Sequence, residues 1–263
     1  MDEQKNKCYL NAIKSIYILK RIFDYTTPIK KLNIIRYNNN IKAKLNINLD
    51  DYIENQYIVI EIYPYSMKRR RRNKKFINIS SEKDESLCHI YFDDDNETEI
   101  KRYYLSGHEK VSKIRVTLDK KFKSFYNLFG ECKIIRAIKF KYFDDRKIED
   151  MSYMFDKCLF LQKLDLTKFK TNNVTNMEGM FSNCENLVSL DLSSFNTNNV
   201  TNMRDMFNGC SSLNDLNLSS FKITSIKKAN YMQNMFCGCW WGLKEKIRKN
   251  YKIFNEILSD LNI

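Results

Sequence analysis

Five cysteines recur along the second half of this 263-residue sequence. They are Cys132, Cys158, Cys184, Cys210 and Cys239, at spacings of 26, 26, 26 and 29 residues. A column of thiols can form disulfides, bind a metal, or simply pack. Zinc sites favour short local pairs, and the only close pair is Cys237-Gly238-Cys239. Each cysteine of the column follows a Phe by three residues: Phe129, Phe155, Phe181, Phe207 and Phe236. Each Phe in turn follows a Leu or Met. In that apolar setting the thiols read as small buried hydrophobes kept reduced, which suits a reducing compartment. No metal site and no cofactor is expected.

The second chemical feature is charge. The formal net charge is +13, and it is not evenly spread. Residues 1–142 carry +12, residues 143–230 carry −1, and residues 231–263 carry +2. Seven positive charges sit in one run: Lys68, Arg69, Arg70, Arg71, Arg72, Lys74 and Lys75. The run admits three readings: a nuclear-import signal read by an importin, a contact for nucleic acid or an anionic membrane, or a solvated loop between strands. No aromatic residue is interleaved within it, so a stacking platform for single strands is not indicated.

Catalytic chemistry finds little support. Glycine-rich phosphate loops, G-x-S-x-G and H-E-x-x-H are all absent. The two histidines, His89 and His108, follow Cys88 and Gly107, and neither has a neighbour that would make a nucleophile pair. The chain is therefore expected not to be an enzyme. No run of 18 apolar residues occurs, so no transmembrane segment is expected. The N-terminal stretch makes a poor signal-peptide core, being broken by Asn11, Lys14 and Lys20. The expected location is intracellular, cytoplasmic or nuclear, with a surface or secreted protein as the alternative.

The elements that would position these residues follow from the 26-residue period. After each cysteine comes an apolar-x-x-apolar-x-apolar run: Ile135-Ile138-Phe140, Leu161-Leu164-Leu166, Leu187-Leu190-Leu192 and Leu213-Leu216-Leu218. Leu-x-Leu puts two side chains on one face of a short strand. Met-x-x-Met-Phe has the i, i+3, i+4 spacing of a helix. Such a unit reads as one strand plus one short helix, stacked on its neighbours to bury a continuous core. The expected fold class is thus α+β. A leucine-rich repeat solenoid over 121–242 follows an N-terminal helical module (1–50) and a small β-rich segment with the basic loop (51–120). A C-terminal capping helix (243–263) closes it.

The run Phe195-Asn-Thr-Asn-Asn-Val-Thr-Asn-Met-Arg-Asp-Met-Phe-Asn-Gly-Cys-Ser-Ser-Leu213 resembles the BspA-like leucine-rich repeat family, and the resemblance covers about residues 129–239. It implies a repeat fold and a binding role without a particular ligand. Many members of that family are cell-surface or host-binding proteins. Near the N-terminus, Ile18-Leu-Lys-Arg-Ile-Phe-Asp-Tyr25 followed by Pro28-Ile-Lys-Lys-Leu32 resembles an F-box, within about residues 15–45. That family binds a Skp-type adaptor of ubiquitin ligases through short helices. Its leading Leu-Pro and later Trp have no counterpart here, and a helical cap or dimerisation module is the other reading.

If Leu-x-Leu points inward, the intervening residues face out and form columns. The middle column is Lys139, Asp165, Asp191 and Asn217. One flank is Lys163, Ser189 and Asp215, and the other is Lys141, Thr167, Ser193 and Ser219. This strand face is the expected protein-binding surface, best suited to a partner with basic groups. The expected function is a non-catalytic protein-interaction scaffold. A BspA-like adhesin and an F-box-type substrate adaptor are the alternatives.

Overall fold

The computed structural model describes residues 16–25, 31, 34, 38–47, 57–65, 73–79, 81–93, 95, 98–119, 121–122, 124–143, 148–222 and 229–251. The chain divides into two units, Met1–Tyr57 and Ile58–Ile263. In the first, α1 (Ile16–Tyr25) and α2 (Asn39–Leu45) bury Leu19, Ile41 and Leu45. The start of α2 is fixed by Asn38, whose side chain accepts a hydrogen bond from the Ile41 N–H at 3.0 Å. Asn46 closes it in the left-handed conformation, where Asn is tolerated better than most residues.

The second unit is built on strands β1 (Tyr57–Pro64), β2 (Lys74–Lys75), β3 (Cys88–Phe92), β4 (Tyr104–Leu105) and β5 (Ile114–Asp119). Then follow β6 (Ile135–Tyr142), β7 (Lys163–Asp165), β8 (Ser189–Asp191) and β9 (Asp215–Asn217). Helices α3 (Glu82–Glu85) and α4 (Trp241–Asn250) complete it. Period-two burial of Ile58, Ile60 and Ile62 on β1, and of Ile114, Val116 and Leu118 on β5, defines the inner face of a five-stranded mixed sheet. Its order is β3-β5-β1-β6-β7. Strand β6, which opens the repeat region, pairs antiparallel with β1 and parallel with β7, so the β-rich segment and the first repeat share one sheet. Strands β8 and β9 form a separate parallel pair.

The expected leucine-rich repeat solenoid is therefore not the fold. The described residues form a mixed sheet and short paired strands with a small helical part, and the unit of strand plus helix does not occur. Among the described residues of 124–239 no α-helix forms; each Met-x-x-Met-Phe segment is a chain of hydrogen-bonded turns. The backbone gives the reason. Two residues per unit adopt positive φ: Asn127, Tyr153, Gly179, Asp205 and Asn234 at one position, and Glu131, Lys157, Asn183, Gly209 and Gly238 at the other. A left-handed residue every few positions stops a right-handed helix.

The turns use half of their N–H groups on the neighbouring unit. Met151, Tyr153, Phe155 and Lys157 donate to the carbonyls of Asn176, Glu178, Met180 and Ser182. The same pattern links 177–183 to 202–208 and 203–209 to 231–237. A helix would point all of those donors along its own axis. On the first unit, which has no unit before it, Asn78 caps the turn carbonyls. Its amide donates to Asn127 and Gly130, and its backbone N–H donates to Leu128 at 2.7 Å.

Beside β4, the Arg102 guanidinium pairs with Glu109, which also accepts from the Ser106 N–H. The Arg102 pairing, above all, holds the Glu109 carboxyl down at about 2 against an ordinary 4.5. A depressed folded value stabilises above the ordinary value, and that contribution is lost as pH falls through 4.5 toward 2. Glu109→Gln is accordingly expected to be less stable than the parent at pH 7, with the gap closing between pH 4.5 and 2. Urea midpoints at pH 7, 4 and 2.5 check this, and a gap independent of pH would refute it.

Candidate docking cleft on the strand face

The recurrent cysteines do not converge on a reactive site. All five are buried. The thiols of Cys158, Cys184, Cys210 and Cys239 donate to the carbonyls of Phe129, Phe155, Phe181 and Phe207, at 3.0 to 3.2 Å. Each thiol thus ties one unit to the one before it. Burial pushes Cys132 and Cys239 up to about 12, and Cys158, Cys184 and Cys210 well above the ordinary thiol value. Since the thiolate is the nucleophile, these groups are inert in the folded state. Cys237 is exposed. In a Cys8→Ser background, one thiol is expected to react rapidly with a disulfide reagent at pH 8, and the other six only on unfolding. More than one fast thiol in the native protein would contradict this packing.

His89 does not pair with the thiol next to it in sequence. Cys88 and His89 are successive residues of β3 and face opposite sides of the sheet. His89 Nδ1 lies 2.8 Å from Glu99 Oε1. Among the described residues no group of three or more His, Cys, Asp or Glu side chains is arranged to hold a metal. Of the basic run, Lys68, Arg69, Arg70, Arg71 and Arg72 lie outside the described residues. Lys74 and Lys75 form exposed β2, paired with Leu105 and Tyr104. On the F-box-like segment, Ile16, Tyr17 and Ile18 of α1 are exposed.

The outer columns of the repeat strands do come together. Ala137 pairs with Lys163 and Lys139 with Asp165 between β6 and β7. Ser189 pairs with Asp215 and Asp191 with Asn217 between β8 and β9. Leu190 and Leu216 point inward and are buried, so their neighbours in sequence face out. Charge then divides the face in two. Lys139 Nζ lies 3.2 Å from Asp165 Oδ2. Partial burial pushes the Asp165 carboxyl up, but hydrogen bonds from Thr167 and the Lys139 ammonium outweigh it and leave the group below its ordinary value. Asp165 is thus already satisfied. Asp191 accepts from the Ser193 N–H at 3.0 Å, and chiefly that bond lowers its carboxyl. Among the described residues neither Asp191 nor Asp215 has a cation within ion-pair distance.

Asp191 and Asp215 line a cleft of about 450 Å³ together with Ser189, Asn217, Lys246 and Tyr251. The far wall belongs to α4 and the residue after it. Leu243 and Ile247 anchor the helix in the core. Lys246 Nζ donates to the Asn214 carbonyl at 3.0 Å, and the Tyr251 hydroxyl accepts from the Leu218 N–H at 3.2 Å. Those two groups belong to the free edge of β9, which α4 thereby covers. The spacing from Leu243 predicts a capping helix over 243–263, or a docking helix for another chain; the helix observed is Trp241–Asn250, and residues 252–263 lie outside the described residues. The contribution of Lys246 and Tyr251 to a cleft carried no signal in the sequence, because nothing in the helical spacing says which strand edge the helix meets.

No helix among the described residues is long and apolar enough to cross a membrane. Comparison with curated proteins returns no match, and no solved structure matches the chain. Residues 123–247, just under half of the chain, match a family described as "Mycoplasma protein of unknown function, DUF285".

Proposed function

We propose that this chain is a non-catalytic protein-binding protein, and that the outer face of strands β7, β8 and β9 is its docking surface. The observation that carries this reading is the cleft between β8–β9 and α4. It is concave and lined by Ser189, Asp191, Asp215 and Asn217, and among the described residues its two carboxylates have no ion partner. Concavity with a few placed polar groups is what distinguishes a binding surface from the rest of an exterior. The family match over 123–247 supports a kinship of the repeat units with BspA-like proteins, and so an adhesive role as the second reading. Buried thiols that donate hydrogen bonds fit a reducing, intracellular setting for the first.

The test places a photo-crosslinking residue at Ser189, at Lys163, or at Tyr126, which is exposed on the turn side. Specific adducts are expected from Ser189 and Lys163 and not from Tyr126. Charge reversal of Asp191 and Asp215 together is expected to cut the Ser189 adduct at least tenfold. It should leave stability within about 1 kcal/mol, since both side chains are exposed. Adducts from Tyr126 alone would move the docking surface to the turns.

A further inference from the structure

The proposed docking surface has a chemistry of its own at its C-terminal end. We infer that the cleft between β8–β9 and α4 seats an arginine side chain presented by an extended segment of the partner. This deepens the strand-face reading above and rests on it.

Four observations converge. First, the charge on the face is sorted. Asp165 is neutralised by Lys139 at 3.2 Å, whereas Asp191 and Asp215 face the cleft with no cation in ion-pair distance among the described residues. Two carboxylates on the same face of adjacent strands, two register positions apart (Asp215 is level with Ser189, Asp191 with Asn217), can each accept from one arm of a planar guanidinium. Second, the one cation that lines the cleft among the described residues is already engaged. The Lys246 ammonium donates to the Asn214 carbonyl, so it is drawn to the strand edge and not to the carboxylates. Third, the cleft has an aromatic side. Tyr251 lines it, with its hydroxyl fixed by the Leu218 N–H, so the ring is held in place. Guanidinium groups stack on such rings more readily than ammonium groups do. Fourth, the size fits. About 450 Å³ exceeds what a water or a bare ion needs and lies within the range of sites for small organic groups.

An extended segment is the matching backbone. Strands β8 and β9 pair in parallel, as β6 and β7 do, so each pair presents a row of equivalent positions across its strands. A segment crossing that row would place one side chain in the cleft. Its neighbours would lie over Ser189 and Lys163. Lysine is the weaker occupant, because its single ammonium cannot span both carboxylates and stack at once.

The experiment titrates the full-length, isotope-labelled chain with three blocked tripeptides, Gly-Arg-Gly, Gly-Lys-Gly and Gly-Gln-Gly. Amide shifts are followed at 189–191, 215–217 and 246–251. The arginine peptide is expected to perturb these residues at least fivefold more tightly than the lysine peptide, with no saturable change from the glutamine peptide. Asp191→Asn with Asp215→Asn is expected to weaken the arginine peptide at least tenfold. Asp165→Asn is the control and should leave it within twofold. Because Asn keeps the shape of Asp and can still accept from Ser193, the double variant retains its fold; unchanged amide dispersion verifies this. Equal binding of all three peptides would overturn the arginine assignment and leave a docking face of another specificity. No perturbation at these residues by any peptide would overturn it too. The crosslinking experiment judges the face separately, since adducts at Ser189 that survive Asp191→Asn with Asp215→Asn would keep the surface and discard the arginine.

Discussion

Phe181→Ala is expected to destabilise the protein by about 3–5 kcal/mol, the largest effect of any single truncation considered. Phe181 is fully buried. Its ring stacks on Phe155 at 5.6 Å and on Phe207 at 5.6 Å, nearly parallel to both. The column continues to Phe129 and Phe236 at the same spacing. Removal of one ring loses its transfer free energy and leaves a gap. That gap cannot close, because the flanking units are held at fixed spacing. Phe155 and Phe181 both donate their backbone N–H to the next unit, to Met180 and Met206. The cost therefore belongs at the upper end of the range for such truncations. The second column offers a comparison. Phe195 sits 5.5 Å from Phe169 and 6.4 Å from Phe221, a looser stack, so Phe195→Ala should cost less. Urea denaturation of both variants decides. A loss below about 1 kcal/mol for Phe181→Ala would mean that the units slide together, and that the hydrogen-bonded turns do not fix their spacing.

That rigidity bears on what the sequence could and could not disclose. The period was legible because Phe, Cys and Leu recur in register, and each turned out to occupy the core. The outward columns were legible for the same reason, since period-two alternation settles which residues of a strand face out. The error lay in the Met-x-x-Met-Phe segment. Spacing of i, i+3 and i+4 is met by an α-helix, but also by successive turns that project the same residues inward. What separates the two is backbone conformation. Gly179, Gly209 and Gly238, with Asn127 and Asn183, mark the left-handed positions that break a helix. The signal was obscured because other units place Tyr153, Lys157, Glu131 and Asp205 at the same positions. Gly179 also has a packing reason to lack a side chain. A Cβ there would come within 2.6 Å of the Tyr153 ring. The cleft was half legible: its strand wall follows from the columns, and its helical wall depends on a long-range meeting of α4 with the β9 edge.

The second large effect belongs to residues that look like ordinary turn threonines. Thr171 and Thr197 lie in Asn- and Thr-rich stretches that read as solvated turns, yet both are fully buried. The Thr197 hydroxyl donates to the Lys222 carbonyl at 2.9 Å and accepts from the Lys222 N–H at 2.7 Å. Thr171 does the same with Asn196, at 2.9 and 2.8 Å. One hydroxyl thus satisfies both backbone groups of a residue in the next unit. Thr197→Val keeps the shape and removes the hydroxyl, leaving a donor and an acceptor unpaired beside a methyl group. A buried polar group left unpaired costs about 1–3 kcal/mol, and because both Lys222 groups are only partly buried the expected loss is about 1–3 kcal/mol for the pair. Thr197→Ser restores both hydrogen bonds and loses only a methyl group, so it should fall within about 1.5 kcal/mol of the parent. The order of the two variants is the discriminating result. If Thr197→Ser proves less stable than Thr197→Val, the threonine contributes through packing of its methyl group, and the hydroxyl bridge between units carries no stability.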